Sequence, residues 1–141
     1  MMTDHDIVLI KKSWNVFRNI EPSVVGDVFY SKLFYDRPEL RKLFPQQMDQ
    51  QYRKLIDMLS TIVARLEKLD ELTDDIASMA RRHEGYGVKP EYYEPVGKAL
   101  LWTLQHGLGN EWTKEINEAW TKCYRILSDT MINASGKKAI S

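Results

Sequence analysis

Three polar side chains stand on helical stripes that are otherwise apolar, and each could do chemistry there. His83 follows Leu72, Ile76 and Met79 at helical spacing, so its ring belongs to the inward face of a helix and not to its wet side. A neutral imidazole in that position needs a partner for each nitrogen: an iron or zinc ion can serve, and so can a buried carbonyl or hydroxyl. Tyr30 is the one polar member of the stripe Val25, Phe29, Leu33 and Phe34. Gln51 lies one turn before Leu55, at the head of the stripe Leu55, Met58, Leu59, Ile62, Val63 and Leu66. Its amide is either a partly exposed helix-start group or a donor aimed into a cavity, and the Tyr30 phenol is either a core hydroxyl bonded to a carbonyl or a second such donor.

The elements that position these groups follow from the punctuation of the chain. Thr3 with Asp6 three residues on reads as a helix start, followed by the stripe Ile7, Ile10, Trp14 and Phe17 and a stop before Pro22. Pro22 opens the helix carrying Tyr30. Pro38 begins a short helical turn over Glu39 to Phe44, which Pro45 ends, so that Phe44 sits at a corner. Gln51 and Leu55 lie on the long helix that follows, and Thr73 can cap the helix that carries His83. Gly85, Gly87 and Pro90 break that helix, placing Val88 at the break, and Pro90 opens the next one, with Tyr93, Val96, Leu100, Leu101 and Leu104 turned inward. Gly107 to Asn110 ends it and caps the last helix, whose stripe runs Trp112, Ile116, Trp120, Cys123, Tyr124, Leu127 and Met131. No stretch alternates with period two, so the expectation is an all-α fold of about six to eight helices.

The length of 141 residues and the 43% hydrophobic content suit one domain over residues 1–141 around a single core, with frayed ends at 1–5 and 136–141. Twenty basic residues balance twenty acidic ones with the signs interspersed, which leaves no footprint for a nucleic acid or an anionic membrane. The strongly apolar run at Ala99 to Trp102 is too short to span a bilayer, and Asp4 and Asp6 occupy the place of a signal peptide's basic segment, so a cytoplasmic protein is expected. Cys123 stands alone on an apolar stripe and reads as a small core residue, without an internal disulfide or a thiolate cluster. His5 and His106 fall outside the inward set and read as surface or helix-packing residues.

With Tyr30, Phe44, Gln51, Leu55 and His83 placed, the chain resembles a globin from near Ile7 to near Asn133, and within that family the bacterial single-domain globins and the haem domain of flavohaemoglobins. The resemblance is carried by Phe29-Tyr30-Ser31-Lys32-Leu33-Phe34, Leu43-Phe44, Gln51-Tyr52-Arg53-Lys54-Leu55, Arg81-Arg82-His83 with Tyr86-Gly87-Val88, Tyr93 through Leu101, and Ala119-Trp120-Thr121-Lys122-Cys123-Tyr124. It implies a globin fold around a non-covalent haem b, with His83 as the iron ligand and Phe44 against the porphyrin. Tyr30, Gln51 and Leu55 would line the open side of the iron. Met79 and Val88 would touch the other face, with Tyr93 and Val96 also at the cofactor, and Lys54 and Arg82 would pair with the propionates.

The same resemblance implies a five-coordinate ferrous iron that binds dioxygen reversibly, as a carrier or scavenger, with other diatomic gases as further ligands. A nitric oxide dioxygenase or a peroxidase-like globin is the alternative, and a gas-sensing or regulatory globin a second one. No flavin or nicotinamide-binding domain follows residue 141 in this sequence, so re-reduction of the iron is expected to need an external reductase. Flavohaemoglobins surround the iron-binding histidine with a tyrosine, matched by Tyr93, and a glutamate, where this chain has Ser135. Without that carboxylate the imidazole is less electron-donating, which weakens the expectation of oxygen activation. A monomer or weak homodimer is expected.

Overall fold

The capping box foreseen at the first helix is present: Thr3 Oγ1 accepts from the Asp6 N–H at 3.1 Å, and Asp6 Oδ2 accepts from the Thr3 N–H at 3.0 Å. It opens α1 (Asp4–Arg18), the first of six α-helices in a computed structural model that describes residues 2–68, 73–85 and 89–140. Side chains at 73, 75, 83–85 and 134–140 lie outside that description. The others are α2 (Pro22–Asp36), α3 (Asp49–Ala64), α4 (Thr73–Gly85), α5 (Tyr93–Leu108) and α6 (Lys114–Ile140), and no strand occurs among the described residues. The all-α expectation is met.

The helices cover one another as their stripes require. α1 lies on α6 and α3, α2 on α3 and α5, and α4 on α6. Trp14 and Trp120, among the largest fully buried side chains, would each strand an indole N–H in this core. Both find hydroxyls: Trp14 donates to Ser60 Oγ on α3 at 3.1 Å, and Trp120 on α6 donates to Ser13 Oγ on α1 at 2.8 Å. Each bond contributes about 1 kcal/mol net, and leaving either donor unpaired would cost more. Asp6, 7% exposed, joins α1 to α6 through Lys122 Nζ at 3.2 Å.

Several local expectations are corrected. Pro90 opens a 3-10 turn, Pro90–Tyr92, and α5 begins three residues later. Pro95 then falls in the first turn of α5, where its missing N–H leaves no helical bond unmade. Asn110 does not cap the last helix, because Gly109, at φ +56°, turns the chain into another 3-10 turn, Gly109–Glu111, that absorbs it. Thr113 caps instead, its Oγ1 accepting from the Ile116 N–H at 3.1 Å, and Trp112 packs from outside the helix. Leu66 is buried but lies past the end of α3, in a 3-10 stretch at 66–68, and Ile56 is buried where Leu55 and Met58 are half-buried. α6 runs to Ile140.

The described buried residues form a main cluster spanning α1, α2, α3, α5 and α6, and a smaller one of Ile76, Ala80 and Met131 where α4 meets α6.

Candidate functional site

Tyr30, on α2, is buried at 5% exposure in a cage of rings. Phe29 and Phe44 meet it edge-on with centroids at 4.8 and 5.2 Å, and Phe34 and Tyr52 lie at 5.8 and 5.9 Å, tilted by about 30°. Its hydroxyl accepts from Gln51 Nε2, on the first turn of α3, at 3.0 Å. The two polar members of separate apolar stripes are thus hydrogen-bonded to each other. Burial pushes the Tyr30 phenol up to about 12, partly offset by the Gln51 bond, so it stays a neutral O–H donor across physiological pH. Its own proton has no acceptor among the described residues. A buried hydroxyl with an uncommitted proton keeps donor capacity for a further partner.

Phe44 follows the 3-10 turn Pro38–Leu43 and is fixed by a neighbour that the sequence reading passed over. Arg41 Nη1 donates to the carbonyls of Phe44 at 3.2 Å and Pro45 at 2.9 Å, and Nη2 donates to that of Gln46 at 3.2 Å. The same guanidinium lies 5.5 Å over the Phe34 ring. Phe34 and Phe44 are 5.5 Å apart, so one arginine ties the corner to the aromatic cage.

Leu55, one turn after Gln51, and Val96 on α5 are half-buried against the main cluster. Met79 and Tyr93 are half-buried against the smaller one, with Ile76, Ala80 and Met131. The backbone of Tyr93 is anchored by Tyr124, whose hydroxyl donates to its carbonyl at 2.6 Å. Gly97 makes room for that ring, since a Cβ there would come within 2.6 Å of Tyr124 Cε2. Lys54 and Arg82 are exposed. His83 is in the last turn of α4, one turn beyond Met79, and its side chain lies outside the described residues, as do Val88 as a whole and the side chain of Ser135.

The structure therefore brings Tyr30, Gln51 and Phe44 into one contact set, with Leu55 and Val96 in the same cluster, and packs Met79, on the helix that carries His83, and Tyr93, at the start of α5, against the smaller cluster between α4 and α6. Among the described residues no group of three or more His, Cys, Asp or Glu could hold a metal ion by protein ligands alone. Cys123 is buried and its thiol is pushed up to about 12 by desolvation, as suits a core residue. His5 is exposed, 3.3 Å from Glu115, and His106 stacks on Trp102 at 3.9 Å, both away from the set.

Two of the residues missed have weak signals. Arg41 lies four before Pro45, within reach of the carbonyls a helix stop leaves open. Tyr52 reads as an ordinary residue beside Gln51 until the glycine opposite it is known.

A family model described as Globin matches residues 27–131. The flavohemoprotein of Bacillus subtilis is 30% identical over 135 residues, covering 94% of this chain and 34% of that protein. Neuroglobin of Tetraodon nigroviridis is 29% identical over 146 residues, covering 92% of this chain and 90% of its own length. A solved bacterial globin from Campylobacter jejuni superposes with a TM-score of 0.83 at 22% identity, over 99% of this chain and 100% of that one. The chain belongs to the globin family. It spans about a third of the length of the flavohemoproteins it matches. Haem is the cofactor. No helix among the described residues is long and apolar enough to cross a membrane.

Proposed function

We propose that this globin binds dioxygen reversibly, with Tyr30 and Gln51 as the donors that retain it and His83 as the ligand to iron. The observation that carries the reading is the 3.0 Å bond from Gln51 to a buried phenol whose own proton is uncommitted among the described residues. Haem b supplies the iron at which a diatomic gas is held. Everything else is the work of the chain's own side chains. With Gln51 donating to its oxygen, the Tyr30 hydroxyl is oriented to donate elsewhere, and the second amide hydrogen of Gln51 remains for the same purpose. Each donor contributes on the order of 1 kcal/mol, somewhat more toward an acceptor that carries charge, so the pair slows release by roughly a hundredfold.

Phe44, held by Arg41, offers a ring to stack on the porphyrin, while Leu55 limits the volume open to a ligand. Met79, Val88, Tyr93 and Val96 would supply apolar contact to the cofactor. Lys54 and Arg82, exposed as cations at a rim would be, would meet the propionates. The test is the absorption spectrum of the hemin-loaded protein in ferric, ferrous and oxygenated forms. A five-coordinate ferrous spectrum converting to a stable oxygenated one, reversed by removing oxygen, is expected. A chain that acquires no Soret band with hemin would overturn the reading.

A second reading, a nitric oxide dioxygenase served by a separate reductase, is supported by flavohemoproteins aligning with 94% of the chain. Mixing the oxygenated protein with nitric oxide and then following steady turnover with a reductase separates the two. Sustained turnover marks the enzyme, and a single reaction without turnover marks the carrier.

A further inference from the structure

Tyr52 touches α2 in three ways, and each bears on the donor pair. Its ring lies where Gly26 leaves space: a Cβ on Gly26 would come within 2.6 Å of Tyr52 Cβ and 2.7 Å of its Cγ and Cδ1. The ring faces that of Tyr30, centroids 5.9 Å apart and planes 31° from parallel. Its hydroxyl donates to Asp27 Oδ1, beside Gly26, at 3.3 Å. Tyr52 directly follows Gln51, so whatever fixes the rotation of α3 at Tyr52 fixes where the Gln51 amide points. A rotation of about 15° about the helix axis moves a side-chain tip lying roughly 5–6 Å out by about 1.5 Å. Directed away from Tyr30, such a movement takes the 3.0 Å bond between Gln51 and Tyr30 beyond hydrogen-bonding distance.

We propose that Tyr52 is a positioning residue for gas binding: braced against Gly26 and Asp27, it holds α3 in the rotation that keeps Gln51 on Tyr30, and so sets how slowly the gas leaves. The proposal rests on Tyr30 and Gln51 being the donors. A Tyr52 that served only packing would change stability without changing the field these donors exert on a ligand.

The experiment uses the hemin-loaded protein with Tyr52→Phe, Asp27→Ala, Tyr52→Leu and, as reference, Tyr30→Phe. It reads the infrared C–O stretch of the carbon monoxide complex, which reports donors near the ligand, together with the oxygen release rate and Tm. Tyr52→Leu is expected to raise the stretch toward the Tyr30→Phe value and to speed release by about five- to tenfold, the effect of losing one good donor bond. Tyr52→Phe and Asp27→Ala, which remove only the hydroxyl tether, are expected to speed release by about two- to threefold each, and by no more when combined. In the Tyr30→Phe background the effect of Tyr52→Leu on release should shrink, since only the donation from Gln51 itself is left to lose. Unchanged stretch and release in Tyr52→Leu, while Tyr30→Phe shifts both, would overturn the brace and leave the donor assignment standing. Full additivity with Tyr30→Phe would overturn it as well. If Tyr30→Phe itself shifts neither quantity, the donor assignment fails and the brace with it. Should Tyr52→Leu not fold, Tyr52→Phe and Asp27→Ala carry the test, and an unchanged stretch in both overturns the proposal.

Discussion

Replacing Tyr30 by phenylalanine removes one oxygen from the cage and leaves the ring contacts to Phe29, Phe34, Phe44 and Tyr52 in place. Two consequences differ in sign and can be measured apart. The gas loses a donor, worth about 1 to 1.5 kcal/mol and more toward a charged acceptor, so oxygen release should accelerate about tenfold or more. The folded chain without gas, in contrast, loses a buried hydroxyl whose proton has no acceptor among the described residues, while Gln51, only half-buried, can turn to water. Its Tm should therefore stay level or rise slightly. Release is followed by mixing the oxygenated protein with excess carbon monoxide, and Tm by circular dichroism. A folded, haem-loaded variant with an unchanged release rate would remove Tyr30 from the site. The phenol also predicts an alkaline signature. Its value in the fold is about 12 against an ordinary 10.0, so the fold favours the protonated form. That contribution to stability is complete below about pH 10 and is lost as pH rises toward 12.

His83→Ala should abolish most hemin uptake, read by the Soret band during titration, and added imidazole should restore part of it; normal five-coordinate ferrous spectra in the variant would refute the ligand assignment. Gly97→Ala places a methyl 2.6 Å from Tyr124 Cε2 and should cost about 1–3 kcal/mol in a urea melt. Asp6 is held below its ordinary 3.8, first by the Thr3 N–H and, on the same side, by Lys122. The depressed value means that its stabilisation is present above about pH 4 and fades as pH falls further, so the Tm curves of wild type and Asp6→Asn should converge below pH 4. Cys123, its thiol pushed up to about 12, should resist a thiol reagent in the native protein and react fully in denaturant.

The periodic part of this architecture was legible in the chain. Thr3 with Asp6, Pro22, and the stripes of α1 and α2 announced themselves by spacing, and Tyr30 and Gln51 stood out because each broke an apolar pattern. Spacing does not report where a side chain is missing to let another in. Gly26 and Gly97 look like weak helix residues until Tyr52 and Tyr124 are seen lying over them. Nor does spacing decide between neighbouring caps: Asn110 and Thr113 both qualify by type, and only the path of the chain at Gly109 selects the threonine. Thr103 was hidden for a related reason, since its hydroxyl bonds back to the Ala99 carbonyl at 2.8 Å and lets a polar residue pass as core.

The guanidinium at the corner makes Arg41 harder to replace than its position among surface charges suggests. Three carbonyl oxygens of successive residues converge on one flat fork, and a lysine, offering a single compact ammonium on a flexible stem, could not span all three at once. Exchanging the two cations would conserve the protein's charge while letting the loop relax into several shapes. Fidelity at this bend thus depends on planarity, a property that no tally of basic residues records.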